Sequence, residues 1–210
     1  MRRIIKTTSP DYFDQWKENY RNKHGRDAIY EQFNCAERQE LKEFMRNEQY
    51  GLCCYCMKRV KYREGHIEHI KPQSLFPNDT MDYMNMLVSC NGMGKNNDGQ
   101  ECCGHKREDW FDANYISPLE PDVQIHFAYS IDGHISPHNN DKRAQETINH
   151  LELDYYSLVQ KRRCAIYLAL DTDASFDDII EDYNNPIDGE LPEYCAAVIY
   201  CVKQQQKNQK

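Results

Sequence analysis

A carboxylate and an imidazole stand side by side at Glu68 and His69, within the segment His66–Ile70. The segment has the alternating pattern of a short β-strand. Neighbouring side chains on a strand point to opposite faces, so the two residues can serve different functions. A carboxylate suits a hard cation such as Mg²⁺, and a histidine can abstract a proton near neutral pH. We therefore predict a cation site at Glu68, with His105 as its second ligand, and a general base at His69. Alternation puts His66 on the same face as Glu68, which makes His66 an alternative ligand.

Cysteines are concentrated on either side of this pair, with six of the chain's ten lying between Cys53 and Cys103. Clustered cysteines in a reducing compartment indicate metal binding rather than disulfides. We predict one structural zinc, held by Cys53, Cys56, Cys90 and Cys103. Cys54 and Cys102 are alternative ligands. Four protein ligands leave zinc no open position, so the catalytic cation, Mg²⁺ or Mn²⁺, must be a separate ion.

The order of these motifs resembles the zinc-containing branch of the HNH endonucleases. The resemblance is carried by Cys-x-x-Cys at 53–56, Glu-His-Ile-x-Pro at 68–72, Asn85, Cys90 and Cys-x-His-Lys at 103–106. It implies a ββα-metal fold, in which two short strands and a helix surround one divalent cation. The chain departs from the family in that Asn91–Gln100, which we interpret as a loop, interrupts the second cysteine pair. His105 also lies two residues after the cysteine, where many members place it one after.

The resemblance also implies roles for individual residues. His69 is expected to be the general base, Glu68 and His105 the ligands of the catalytic cation, and Asn85 the residue that positions the loop bearing the base. The implied reaction is hydrolysis of phosphodiester bonds in nucleic acid. DNA is the favoured substrate, and RNA such as tRNA is the alternative. The flanking phosphates are predicted to contact Lys71, Lys106 and Arg63.

A second resemblance extends beyond the cysteine-rich segment to most of the chain. Its Met-Arg-x-Ile-x-Lys opening, embedded Cys-x-Tyr-Cys and helical C-terminal half resemble the HNH subunits of Septu-type anti-phage systems, which also occur as effectors in some retrons. This resemblance implies an ABC/SMC-like (PtuA-like) ATPase partner and a role in phage defence. The competing hypothesis is a zinc-stabilised binding module without catalysis, but such a module would not need the Glu-His pair, Asn85 and His105.

The patterns along the chain predict an α+β fold that is mostly helical. In this fold a small ββα module, which carries the candidate site, is embedded in helices. Residues 1–50 are predicted to form N-terminal helices, 51–112 the zinc-stapled nuclease module, and 113–210 a β-hairpin and helical region that docks a partner. A second strand is predicted at Arg59–Tyr62. The remaining cysteines lie in apolar helical patterns and are predicted to be small buried residues: Cys35, Cys164, Cys195 and Cys201.

The formal net charge of −8 is unusual for a protein that binds a polyanion. Phosphate binding depends on local patches rather than on net charge. Five Lys and Arg lie within 58–71, whereas nine Asp and Glu and no basic residue lie within 171–193. The N-terminus lacks the pattern of a signal peptide, and no apolar run approaches the ~18 residues of a membrane span. We therefore expect a cytoplasmic protein.

Overall fold

The computed structural model describes residues 1–92 and 101–208. Within these residues, helices dominate and two small antiparallel sheets accompany them, which confirms the predicted α+β, mostly helical fold. The helices are α1 (Asp11–His24), α2 (Cys35–Glu48), α3 (Gly104–Arg107), α4 (Lys142–His150), α5 (Tyr156–Leu170), α6 (Phe176–Asn184) and α7 (Cys195–Asn208). The strands are β1 (His66–His69), β2 (Met86–Ser89), β3 (Phe127–Tyr129) and β4 (Ile135–Pro137). None of the described helices is long and apolar enough to cross a membrane.

The first sheet pairs β1 with β2 in antiparallel register, with His66 opposite Ser89 and His69 opposite Met86. Every residue of β2 is buried, as expected for a short apolar run packed on both faces. The side chain of Gln49, just beyond α2, accepts from the Val88 N–H at 2.7 Å and donates to the Val88 carbonyl at 2.9 Å. An amide side chain thus replaces a third strand at this edge and satisfies its backbone groups.

The ββα unit is built into the surrounding helices by backbone contacts on several sides. Cys103 N–H donates to the Leu151 carbonyl at 2.8 Å, and Tyr194 N–H donates to the Met57 carbonyl at 3.0 Å. Helix α7 packs against α5, α6 and β3. A continuous hydrophobic core includes residues from Met1 to Val202 in α7. The borders proposed at residues 50 and 112 stay a prediction.

Arg59–Tyr62 is not a strand, because only Arg59 pairs, in a single bridge with Leu52. The next carbonyl, of Val60, accepts instead from the Arg46 side chain at 2.6 Å, so no partner strand is required. Cys35 and Cys164 are exposed, contrary to prediction, whereas Cys195 and Cys201 are buried. The predicted loop at 91–100 lies, from residue 93 onward, outside the described residues.

Candidate catalytic and metal centre

The four predicted zinc ligands lie together in the structure. The sulfur atoms of Cys53, Cys56, Cys90 and Cys103 are buried and lie within 4.8 Å of one another. The Sγ atoms of Cys56 and Cys90 are 3.8 Å apart, about the spacing that two thiolates have on one tetrahedral zinc with Zn–S bonds of ~2.3 Å. This donor set fits a structural zinc. Across 1–92 and 101–208, no other group of three or more His, Cys, Asp or Glu side chains meets this spacing.

Turns and strand ends bring these cysteines together. Cys53 and Cys56 lie in a turn closed by the Met57 N–H, which donates to the Cys53 carbonyl at 3.1 Å, with Met57 in the left-handed region at φ 63°. Cys90 directly follows β2, and Cys103 directly precedes α3. The Cys90 N–H donates to Cys53 Sγ at 3.3 Å, a contact that stabilises a thiolate.

The two alternative ligands, Cys54 and Cys102, are outside this group. The Cys102 thiol donates to the Gly92 carbonyl at 3.3 Å. Burial raises the pKa of the Cys54 thiol, which therefore favours its neutral form. Neither side chain is needed to complete a four-sulfur site.

Glu68 and His69 contact separate sets of side chains, as strand alternation predicts. Both are 5% exposed. His69 contacts the loop that runs from β1 to β2, whereas Glu68 contacts the residues around Tyr55 and the start of α3. A proton acceptor and a carboxylate are therefore held on opposite sides of one short strand.

His69 is held in one tautomer by the loop beyond it. Its Nε2 lies 3.0 Å from the Thr80 carbonyl, which can only accept, so Nε2 carries the proton. Its Nδ1 then has a free lone pair, to which the Gln73 amide donates at 3.1 Å. The ring also meets the Tyr30 ring edge-on at 4.8 Å. Burial lowers the pKa of His69, so the imidazole is neutral at pH 7 and able to accept a proton.

Asn85 binds that loop at two points, Lys71 and Asp79. Its Oδ1 accepts from the Lys71 N–H at 2.7 Å, and its Nδ2 donates to the carbonyls of Lys71 and Asp79 at 3.1 and 3.0 Å. Asp79 directly precedes Thr80, whose carbonyl holds His69. Asn85 is 4% exposed, so these bonds are shielded from water. By holding Asp79, the Asn85 amide fixes the next residue, Thr80, whose carbonyl orients His69.

Glu68 is surrounded by polar partners. Its Oε1 accepts from the Tyr55 hydroxyl at 2.9 Å and forms an ion pair with Arg107 at 2.7 Å, and its Oε2 lies 3.2 Å from His66 Nε2. Burial alone would raise the pKa of this carboxyl. The hydrogen bond from His66 and the charge of Arg107 outweigh that effect and hold the pKa of Glu68 below its ordinary value. Glu68 is therefore an anion in a buried site.

The other predicted residues lie on the surface around this centre. His105 on α3 is exposed, and its ring centroid lies 4.4 Å from that of His66. Lys71 and Lys106 are exposed and face acidic partners, Lys71 Nζ at 2.7 Å from Asp79 and Lys106 Nζ at 4.0 Å from Glu152. These pairs weaken the positive potential each lysine can offer a phosphate. Arg63, the third predicted phosphate contact, is exposed, and its side chain lies over the Tyr62 ring.

Arg107 is the most substantial contact that sequence reasoning missed. It is 3% exposed, pairs with Glu68, and donates to the carbonyls of both His69 and Ile70, the latter at 2.7 Å. A buried arginine so bound fixes the backbone of the Glu-His pair from α3. Tyr55, which its position suggests is a packing residue, also binds Glu68. The sequence offered one signal for Arg107: it lies four residues after the predicted zinc ligand Cys103, on the helix that follows that ligand.

The chain is 32% identical over 158 residues to the "Retron Vc95 putative HNH endonuclease" of Vibrio cholerae serotype O1 biovar El Tor. The aligned residues make up 70% of this chain and 75% of that relative. No protein-family model matches the chain.

Proposed function

The chain belongs to the HNH endonuclease family, which hydrolyses phosphodiester bonds, and we propose that Glu68, His69, Asn85 and His105 form its catalytic centre. The observation that carries this proposal is the environment of His69. A buried, neutral imidazole has its Nε2 proton fixed on a carbonyl and its Nδ1 lone pair directed to a replaceable amide. Such a residue suits the role of general base.

In the proposed mechanism, His69 Nδ1 takes a proton from the attacking water, which displaces the Gln73 amide from that lone pair. The Nε2–H group keeps its hydrogen bond to the Thr80 carbonyl, and this bond stabilises the imidazolium as it forms. Asn85 keeps that carbonyl in place by its bond to Asp79. The imidazole is therefore already oriented to accept the proton, and only the Gln73 amide has to move.

Glu68 and His105 are the proposed ligands of the catalytic cation. Its chemistry would be to polarise the scissile phosphate and to stabilise the leaving oxygen. Arg107 and Tyr55 hold Glu68 Oε1 and leave Oε2 directed to the start of α3. The four-cysteine site, which has no open ligand position when filled, would hold the ends of the ββα unit in register.

We propose DNA as the substrate, with Lys71, Lys106 and Arg63 contacting flanking phosphates. The purified protein is expected to cleave duplex or single-stranded DNA when Mg²⁺ or Mn²⁺ is added and to stop when that cation is withheld. DNA and RNA present the same phosphate chemistry to the active site. The same reactions with tRNA in place of DNA therefore distinguish the two substrates. Cleavage confined to RNA would overturn the DNA proposal. Cleavage that persists without added cation, in protein retaining its zinc, would overturn the metal-dependent mechanism.

The proposed physiological setting is an anti-phage complex with an ABC/SMC-like ATPase. The Vibrio cholerae relative is named as the HNH endonuclease of a retron, and this name supports a role in such a system. The region beyond residue 112 is the proposed docking part, because it carries the acidic stretch at 171–193 and exposed apolar side chains on α5, among them Leu168 at 66% exposure.

Co-expression with an ATPase encoded by a neighbouring gene is expected to recover a stable complex. Leu168→Asp is expected to raise the Kd of that complex at least about tenfold. Placing a charge in an apolar contact is costly, since the charge loses its hydration. Ile5→Asp is the matched control, because Ile5 is 70% exposed but lies outside the proposed docking part. Equal loss in both variants, or no complex with the unaltered chain, would contradict the proposal.

A further inference from the structure

His66, the alternative ligand that strand alternation offers, contacts the carboxylate of Glu68. His66 and Glu68 are two residues apart on β1, so their side chains lie on one face of the strand. His66 Nε2 is 3.2 Å from Glu68 Oε2, and the side chains are 28% and 6% exposed. Two neighbouring donors on an octahedral cation with bonds of ~2.1 Å lie about 3.0 Å apart. The two atoms are thus already at the spacing of adjacent ligands.

The helix that faces this pair begins with a residue that has no side chain. A Cβ placed on Gly104 would lie 2.2 Å from Glu68 Oε2 and 2.6 Å from His66 Nε2. Any other residue at this position would occupy the point where the two donor atoms meet. Gly104 is also the position directly after Cys103, whereas His105 is one residue further and exposed. The imidazole of His66 therefore fills, from the strand, the space that a side chain at 104 would fill from the helix.

The remaining contacts of these two side chains leave the pair available. Glu68 Oε1 is engaged by Tyr55 and Arg107, while Oε2 has His66 as its hydrogen-bonding partner. Nδ1 of His66 is buried and has no hydrogen-bond partner in the described part of the chain. The single polar contact of the His66 ring directs it to the carboxylate oxygen that is free for a cation.

We propose that His66 is a ligand of the divalent cation, through Nε2, beside Glu68 Oε2. This inference rests on the proposed function, since it adds a residue to the same cation site. The ring of His105 on α3 lies 4.4 Å from that of His66, centroid to centroid, and is tilted 59° to it. An imidazole ligand shifts preference from Mg²⁺ toward transition-metal ions, because nitrogen is a softer donor than oxygen. The site is therefore expected to bind Mn²⁺ more tightly than Mg²⁺.

The test measures Mn²⁺ binding to the full-length, zinc-loaded protein without nucleic acid, from the loss of the free-ion electron paramagnetic resonance signal. His66→Ala is expected to raise the Mn²⁺ Kd at least about tenfold, as weakening of a metal's ligand environment does. Electron spin echo modulation from an imidazole nitrogen should weaken in the same variant. His24→Ala, which removes an exposed histidine on α1, is the control and should change Kd less than about twofold.

A second variant, His66→Asn, keeps a polar side chain should the alanine variant fold poorly, and zinc content and thermal midpoint verify folding of each. Unchanged Kd and unchanged nitrogen modulation in a folded His66 variant would overturn the inference. If the unaltered protein binds no Mn²⁺ at all, the cation part of the proposed function fails together with it. If binding is intact but His69→Ala still cleaves, the proposed base fails while the assignment of His66 stands.

Discussion

His69→Ala is expected to lower the rate of phosphodiester cleavage by about 10²–10⁴-fold, the range that general-base catalysis contributes. The variant loses the Nδ1 lone pair that would accept the proton, while Glu68, on the other face of β1, keeps its own contacts. The rate constant should therefore fall without a matching loss of cation affinity. Single-turnover cleavage of a labelled DNA at saturating Mn²⁺ measures this directly, since product release does not enter the rate.

Removing a buried ring also affects stability, so the comparison needs a folding control. The Thr80 carbonyl would lose its donor, at a cost of about 1–3 kcal/mol for a buried group left unpaired. Assays well below the variant's thermal midpoint separate this loss from catalysis. His24→Ala should cleave at the unaltered rate, because that residue is exposed on α1. A folded, zinc-containing His69→Ala protein that cleaves as fast as the unaltered chain would eliminate His69 as the base.

The arrangement around His69 gives Asn85 an indirect role. Asn85 does not contact His69; it binds the backbone of Lys71 and Asp79, and the next carbonyl, that of Thr80, orients the ring. Asn85 is therefore a positioning residue whose amide must both donate and accept. An aspartate of similar size could not donate to the two carbonyls, so the need here is for both hydrogen-bonding groups rather than for polarity alone.

Sequence patterns predicted the parts of this centre that depend on local spacing. Strand alternation placed Glu68 and His69 on opposite faces, and the cysteine motifs gave a set of four sulfurs that the fold brings together. Both follow from short-range geometry, which is why single-sequence reasoning can reach them. The assignment of Arg59–Tyr62 as a strand was wrong because alternation alone does not reveal whether a partner strand exists.

The residues that sequence reasoning missed are those whose roles arise from tertiary contacts. Arg107 binds the carbonyls of His69 and Ile70 from α3, 37 or more positions away in the chain. The meeting of Gly104 with His66 and Glu68 likewise depends on how α3 lies against β1. No periodicity marks such pairs in advance. The nearest signal was Gly104, which directly follows Cys103, where many family members place the ligand histidine. This departure did not reveal which side chains would meet at that position.

Cys103→Ser is expected to lose the bound zinc and, with it, the folded ββα unit. Structural zinc contributes roughly 10–16 kcal/mol of apparent binding free energy in small zinc domains. That is comparable with the entire unfolding free energy of a typical protein, about 5–15 kcal/mol. The four sulfurs converge from the turn after α2, the end of β2 and the start of α3, so losing one ligand releases three segments. Zinc content by elemental analysis and the thermal midpoint should fall together.

The adjacent cysteine supplies a matched control. Cys102 is buried like Cys103, but its thiol donates to the Gly92 carbonyl and lies outside the four-sulfur group. A serine at 102 can make the same donation, so Cys102→Ser should keep one zinc per chain and melt close to the unaltered protein. The reverse pattern, with zinc lost at 102 and retained at 103, would make Cys102 the fourth ligand. Because Cys103 directly precedes α3, that result would also move the helix that carries Arg107 and His105, and with it the geometry on which the cation site depends.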